Sequence, residues 1–305
     1  MRKQLSFYLK KGSLRRRIIL LIFLLLIFVS ANVFLIYFKN PQDNYTNFVK
    51  RVAPFPAIII GNKIITVGSY EKELAIERKI QETAYKISFD SSADGQALLK
   101  KLKDSTEEKM IEYFLMEKML SNAGLAVSDN EVAKEYNALL ENAGGEISTK
   151  NILKFFAGLT IAETKSKIYK YLLEEKTKDR FLSKAKISSI NVLVSDANNQ
   201  GQWAEAESKI KLIESNIKGG AGFDSAKRSF GAMGAGDEDY YVADLSENIR
   251  AGIANIKVGE VSGIIRGEDG YYLVRVIERK GGYDGSLTDF MTEKKQGIRI
   301  WRLMP

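Results

Sequence analysis

One segment near the N-terminus carries no charge and is apolar on every helical face. Residues 18–38 read IILLIFLLLIFVSANVFLIYF, and as a helix this segment spans about 30 Å, the thickness of a bilayer's hydrocarbon core. Seven basic residues and no acidic residue precede it, and positive charge marks the cytoplasmic flank of a membrane helix. The sequence therefore predicts a cytoplasmic tail at 1–17, a single transmembrane helix at 18–38 and a body on the extracytoplasmic side.

A cleaved signal peptide is the alternative interpretation of the same segment. Val29, Ser30 and Ala31 resemble a small-residue cleavage site after an apolar core. The apolar run continues as far as Phe38, which favours an uncleaved anchor in the cell membrane. Both interpretations export the body of the chain.

Charge and composition exclude several kinds of chemistry. The net charge is +8, but the basic tail supplies seven of these charges, and the rest of the chain has 39 basic and 38 acidic side chains. We therefore expect no nucleic acid partner. The chain has no histidine and no cysteine, which excludes imidazole catalysis, thiol chemistry and cysteine-rich zinc sites. We expect no metal and no cofactor.

Composition changes along the chain predict how the exported part is divided. Residues 39–56 contain three of the four prolines and suggest a polar linker. Residues 57–186 open with a β-hairpin and are otherwise mainly helical, because apolar side chains recur at helical spacing. Residues 187–280 mix strands and helices, which indicates an α+β domain. Residues 281–305 form a C-terminal extension.

Local signals place the individual elements within these segments. A Ser-Asp-Asn-Glu capping box at 128–131 opens one helix, and Thr160 can cap another. Asp269-Gly270 suggests a type I′ turn between two strands. Helices are predicted at 69–85, 106–122, 128–142, 150–159, 162–184, 203–218, 223–230, 246–256 and within 286–303, and strands at 57–66 (a hairpin), 189–194, 239–242, 261–266 and 271–278.

Three stretches resemble one family. Residues 58–66 (IIIGNKIIT) and 106–132 (TEEKMIEYFLMEKMLSNAGLAVSDNEV) are similar to the first strand and helices of extracytoplasmic chaperones of the SurA, PrsA and PpiD kind. Residues 187–280 resemble a parvulin-type peptidyl-prolyl isomerase domain, with KVGEVS at 257–262 and GYYLVRV at 270–276. The resemblance implies a helical chaperone-like domain followed by a parvulin-like α+β domain. It also implies unfolded or newly exported polypeptides as partners.

The resemblance also assigns site residues, and this chain departs from the family at several of them. Asn191 and Tyr272 stand where parvulins have histidines. Gly231 and Gly267 stand where the family has side chains with polar groups, and Glu238 stands where a leucine is usual. The resemblance implies that the substrate proline would contact Leu245, Ile249 and Tyr241.

Three hypotheses remain open. The first is a membrane-anchored folding factor with weak or lost isomerase activity, because prolyl isomerisation needs no covalent intermediate but two histidines are missing. The second is an active isomerase with an altered site. The third is a structural or assembly protein that uses the parvulin-like fold for docking.

Overall fold

The computed structural model describes residues 19–39 except 20 and 25, then 43–142, 158–230 and 237–303. The chain divides into two compact units. Unit 1 comprises Met1–Phe114, Asn130–Ile168 and Gly297–Pro305, and unit 2 comprises Leu115–Asp129 and Tyr169–Gln296. The predicted basic tail at 1–17, most of the predicted helix at 150–159 and Gly231 lie outside the described residues.

Two helices begin unit 1. Helix α1 (Leu21–Lys39) is long and apolar enough to cross a membrane, and its last turn, Leu35–Lys39, is a π-helix. Helix α2 (Asn44–Val52) follows and is capped by Asp43, whose carboxylate accepts a hydrogen bond from the Thr46 amide. This helix lies in the segment for which the sequence suggested only a polar linker.

A three-stranded antiparallel sheet continues unit 1. Strands β1 (Pro56–Ile60) and β2 (Lys63–Thr66) form the predicted hairpin around Gly61, whose φ of +60° suits glycine. The third strand, β7 (Ile300–Arg302), comes from the end of the chain and pairs with β1. The sequence predicted only a helix or extension at 286–303, and this strand was not foreseen.

Four long helices follow the hairpin: α3 (Val67–Ala84), α4 (Ala93–Asn122), α5 (Asp129–Asn142) and α6 (Ile161–Phe181). Helix α4 begins earlier than predicted and ends before Gly124, which has a φ of +72°. Thr160 and Glu163 form a reciprocal capping box at the start of α6, as Thr160 predicted.

Unit 2 contains a four-stranded antiparallel sheet with the strand order β4-β3-β6-β5. Its strands are β3 (Lys184–Leu193), β4 (Glu238–Tyr241), β5 (Ile265–Arg266) and β6 (Gly270–Lys280). Its helices are α7 (Gln200–Lys218), α8 (Phe223–Ser229), α9 (Glu247–Ile253) and α10 (Leu287–Gln296). The predicted order of strands and helices is confirmed, although β5 is shorter than expected.

The two faces of this sheet carry different cores because side chains alternate along a strand. On one face, Ile190 and Leu273 pack with Ile210 and Ile213 of α7. The other face buries a second set of apolar side chains, from β3, β5, β6, α9 and the segment just before α9: Ala185, Ile187, Leu245, Ile253, Ile265, Val274 and Val276.

The turn before β6 differs from the predicted type I′ turn. Asp269 lacks the positive φ that type I′ requires, and a four-residue turn is closed by the Gly267 amide, which donates to the Gly270 carbonyl at 2.8 Å. Gly270 has a φ of +154°, and a Cβ atom there would overlap the Val192 carbonyl of β3. Glycine is needed here because the two strands approach closely.

Candidate functional site

A cavity of about 450 Å³ opens on the second face of the sheet in unit 2. Its floor comes from β3 and β6, and its walls come from the segment 244–249 and the turn 267–269. The lining residues are Ile187, Ser189, Asn191, Tyr240, Asp244, Leu245, Ser246, Ile249, Gly267, Glu268, Asp269, Tyr272 and Val274. The floor therefore combines the apolar side chains of Ile187 and Val274 with the polar side chains of Ser189, Asn191 and Tyr272.

Asn191 and Tyr272 face each other across the floor of this cavity. They are paired in the antiparallel register of β3 and β6, and both line the cavity. The Oδ1 atom of Asn191 is buried, and no described residue donates a hydrogen bond to it. An unpaired buried acceptor is costly, so this oxygen is a ready partner for a peptide N–H.

The hydroxyl of Tyr272 has a partner within the cavity. It donates a short hydrogen bond to Oδ1 of Asp269. Burial, together with this hydrogen bond and the negative charge of Asp269, raises the pKa of Tyr272 to about 12. The phenol therefore stays protonated at neutral pH, and it cannot exchange protons there as an imidazole would.

Gly267 lies beside the ring of Tyr272. A Cβ atom on Gly267 would lie 2.6 Å from Cε2 and 3.2 Å from Cδ2 of this ring. At this position the resemblance implies a serine or threonine. The tyrosine ring thus occupies space that such a side chain would need.

Leu245 and Ile249, the predicted contacts for a substrate proline, both line the cavity. Leu245 is 7% exposed, and the deeper apolar surface comes from Ile187 at 5% and Val274 at 0%. Ile187 and Val274 were not predicted as site residues. The period-two alternation places Ile187 and Val274 on the same sheet face as Asn191 and Tyr272, and this signal could have found them.

Tyr241, the third predicted substrate contact, lies outside the lining of this cavity, and its neighbour Tyr240 is part of the lining. The Tyr241 hydroxyl donates to Oδ1 of Asp179 at 2.7 Å, and Lys184 Nζ lies 4.6 Å from the ring centroid. Burial and the hydrogen bond to Asp179 raise the pKa of Tyr241. The alternation of side chains explains the difference, since adjacent residues of β4 face opposite sides of the sheet.

Tyr240 and Glu238 form a polar edge near the cavity. The Tyr240 hydroxyl donates a short hydrogen bond to Glu238, which raises the pKa of Tyr240. Glu238 is exposed, so its charge is solvated. Over the described ranges, no group of three or more His, Cys, Asp or Glu side chains is arranged to hold a metal ion.

This arrangement can bind an extended peptide more readily than it can perform proton transfer. Ile187 and Val274 offer apolar surface, Asn191 offers an acceptor, and Tyr272 and Tyr240 offer hydroxyl groups. Rotation about a prolyl bond breaks no covalent bond, so catalysis requires only tighter binding of the twisted amide than of the planar one. These groups can contribute to such binding without any imidazole.

The four-stranded antiparallel sheet, its flanking helices and this cavity define a parvulin-like α+β domain. The family of the PPIC-type PPIASE domain matches residues 127–290, which is more than half of the chain. The chain belongs to this family. The match extends beyond the parvulin-like domain expected at 187–280 and includes α5 and α6.

Several solved structures are similar to this chain at low sequence identity. PrsA from Bacillus anthracis is 20% identical, with 62% of this chain and 85% of that chain covered and a TM-score of 0.26. PrsA from Streptococcus pneumoniae is 17% identical, with coverages of 76% and 80% and a TM-score of 0.27. A structure described for SurA-like chaperones of Campylobacter jejuni is 15% identical, with coverages of 81% and 98% and a TM-score of 0.26. Comparison with curated proteins gives no match.

Proposed function

We propose that this protein is a membrane-anchored extracytoplasmic folding factor whose parvulin-like domain binds unfolded polypeptides and isomerises prolyl bonds weakly or not at all. The observation that carries the proposal is the pairing of Asn191 with Tyr272 on the floor of the cavity. The apolar part of the lining remains available for a peptide, but the positions of the family histidines hold an amide and a phenol with a pKa of about 12.

Anchoring of the protein is supported by α1 and by the charges that precede it. Helix α1 passes the length and hydropathy criteria for a membrane span, and seven basic residues lie before it. Protease added to intact spheroplasts should digest the body and spare the N-terminal tail. A body that is protected from protease would contradict the proposed orientation.

Client binding is tested with the full-length protein in detergent micelles. We expect it to suppress the aggregation of an unfolded model protein at near-stoichiometric ratio. Ile249→Glu, which places a charge in the apolar part of the lining, should weaken the binding of a proline-containing peptide to the cavity. Val258→Glu is the matched control, because Val258 is 59% exposed and outside the cavity lining. Equal peptide affinity in both variants would contradict binding at the cavity.

Asn191 favours a second candidate function, an active isomerase with an altered site. Asn191 lines the cavity, and its Oδ1 atom, which has no donor among the described residues, could hold the peptide N–H of a twisted substrate. The same full-length protein in an assay of proline-limited refolding distinguishes the two functions. Crosslinking to newly exported chains distinguishes both from a purely structural role.

A further inference from the structure

In helix α2 the two aromatic side chains are exposed, whereas the polar side chains of Thr46 and Lys50 are buried together with the apolar Val49. Thr46 is 2% exposed and Lys50 is 0% exposed, whereas Tyr45 is 49% exposed and Phe48 is 62% exposed. A helix on the surface of a water-soluble unit normally shows the opposite distribution. This inversion indicates that the outer face of α2 meets an apolar environment.

Specific contacts fix α2 in this orientation. Lys50 Nζ lies 2.8 Å from Oε1 of Glu71 on α3, and the Glu71 side chain is only 33% exposed. Asp43 holds the first turn through hydrogen bonds to the amide and hydroxyl of Thr46, at 2.8 and 3.0 Å. Turning the aromatic face inward would break the ion pair between Lys50 and the partly buried Glu71, which is costly.

The exposed aromatic face of α2 lies next to the apolar helix α1. The Tyr45 hydroxyl donates to Oδ1 of Asn32 at 3.0 Å, and Asn32 is 3% exposed. Near the end of α1, Phe34 and Phe38 stack with ring centroids 5.6 Å apart, and they are 51% and 75% exposed. Two exposed aromatic side chains thus lie near the end of α1 and two on α2, and we call these four residues the aromatic collar (Phe34, Phe38, Tyr45 and Phe48).

The contact between Tyr45 and Asn32 sets the depth of α2. Asn32 precedes the end of the predicted span at Phe38 by about 9 Å, at 1.5 Å per helical residue. Helices that lie in the membrane interface bury their apolar face about 5–10 Å into the boundary between headgroups and acyl chains. Aromatic side chains are enriched at this boundary. The depth and chemistry of the aromatic collar match this layer.

We infer that α2 lies in the lipid headgroup layer on the extracytoplasmic side, with the aromatic collar in contact with lipid. This inference rests on the proposed anchoring of α1. Through the ion pair of Lys50 with Glu71, α2 holds the start of α3 at the membrane surface. The segment after α1 then lies at the membrane and is not a flexible spacer.

The test uses the absence of cysteine in the chain, which makes a single introduced cysteine unique. Full-length Phe48→Cys is labelled with a nitroxide and reconstituted into vesicles of phosphatidylcholine and phosphatidylglycerol. Collision rates are measured with oxygen, which partitions into lipid, and with a water-soluble nickel complex. Tyr85→Cys is the matched control, since Tyr85 is 67% exposed at the C-terminal end of α3. Phe28→Cys, within α1, reports the span itself.

We expect the label at position 48 to keep its collisions with oxygen and to lose most of its collisions with nickel, while position 85 keeps its nickel collisions. Nickel collisions at 48 equal to those at 85 would overturn the inference. Loss of both collision rates at 48 would also overturn it, because protein and not lipid would then cover the helix. If the label at position 28 collides freely with nickel, the proposed anchoring itself fails. If the label at 28 is in lipid while the label at 48 is in water, only the inference about α2 fails.

Discussion

A Cβ atom on Gly267 would lie 2.6 Å from Cε2 of Tyr272, so the residue at position 267 is restricted by the ring at position 272. These are two of the positions at which the resemblance implies a departure from the parvulin pattern. The two departures are sterically coupled, since a hydroxyl-bearing residue at 267 requires the tyrosine ring to move. Tyr272 is therefore closely surrounded in the cavity: Gly267 lies beside its ring, and Asp269 accepts a hydrogen bond from its hydroxyl.

The first prediction concerns this coupling. Gly267→Ser should lower the free energy of unfolding by about 1–3 kcal/mol, the usual effect of overpacking, because its Cβ would meet the ring. Denaturant unfolding of the full-length protein in detergent measures this change. The double variant Gly267→Ser with Tyr272→His should recover most of the loss, since the imidazole ring is smaller.

Gly263→Ser is the matched control, because a Cβ atom there would have no heavy atom within 4 Å. It should leave stability nearly unchanged. An equal loss of stability in Gly263→Ser and Gly267→Ser, or no recovery in the double variant, would contradict the steric coupling.

Much of unit 2 could be predicted from sequence because its signals are local. The alternation along β3 and β6 fixes which residues share a face, and the glycine at 270 marks the close approach of two strands. The geometry between Gly267 and Tyr272 could not be predicted, because it depends on how the turn before β6 is closed. The misassigned type I′ turn shows the same limit.

Strand β7 could not be predicted from the sequence alone. Its three residues, Ile300–Arg302, carry no strand signal that exceeds the helical pattern before them. They become a strand because they pair with β1, far away in the sequence. The orientation of helix α2 could not be predicted either, because its short sequence does not show that Lys50 is buried against Glu71.

The second prediction concerns Lys167 of α6, which lies between two carboxylates of α3. Its Nζ atom is 2.9 Å from Oε1 of Glu73 and makes a shorter contact with Glu77, and all three side chains are largely buried. Lys167→Met should lower the free energy of unfolding by about 3 kcal/mol, because two buried carboxylates lose the positive charge that lies between them. Thermal unfolding followed by circular dichroism measures the change.

The contribution of Lys167 to stability should decrease at high pH. Burial lowers the pKa of Lys167, but hydrogen bonds to Glu77 and Glu73 outweigh burial and raise it above its ordinary value. The stabilisation is therefore complete at neutral pH and is lost as the pH rises through the raised pKa. Lys100→Gln is the control, because the ion pair of Lys100 with Asp104 is exposed and its loss should have no measurable effect. An equal effect of both substitutions would contradict the prediction.

The third prediction concerns Arg302 of β7, whose guanidinium lies 2.7 Å from Glu107 and 3.0 Å from Glu108 on α4. Burial raises the pKa of Glu107, and the charge of Arg302 opposes this rise. Arg302→Gln should raise the pKa of Glu107 further, and it should cost about 1 kcal/mol of stability at pH 7.

The loss in this variant should shrink as the pH falls and Glu107 becomes protonated in the folded protein, because the neutral carboxyl no longer needs the arginine. Urea unfolding of both proteins at pH 7 and pH 4 measures the difference. A loss of stability that is the same at both pH values would show that Arg302 acts through packing of β7 and not through the charge of Glu107.

The central claim is that the cavity of unit 2 keeps the fold of an isomerase site without its chemistry, and the rate of proline-limited refolding tests this claim most directly. The full-length protein in detergent should leave the refolding of a model substrate close to the uncatalysed rate, with a time constant of tens to hundreds of seconds. Asn191→His combined with Tyr272→His should raise the catalysed rate by about 10- to 100-fold, since hydrogen bonds and charges of this kind contribute a few kcal/mol. Strong activity in the unmodified protein that is lost in Asn191→Ala or Tyr272→Ala would contradict the claim and would make these residues catalytic.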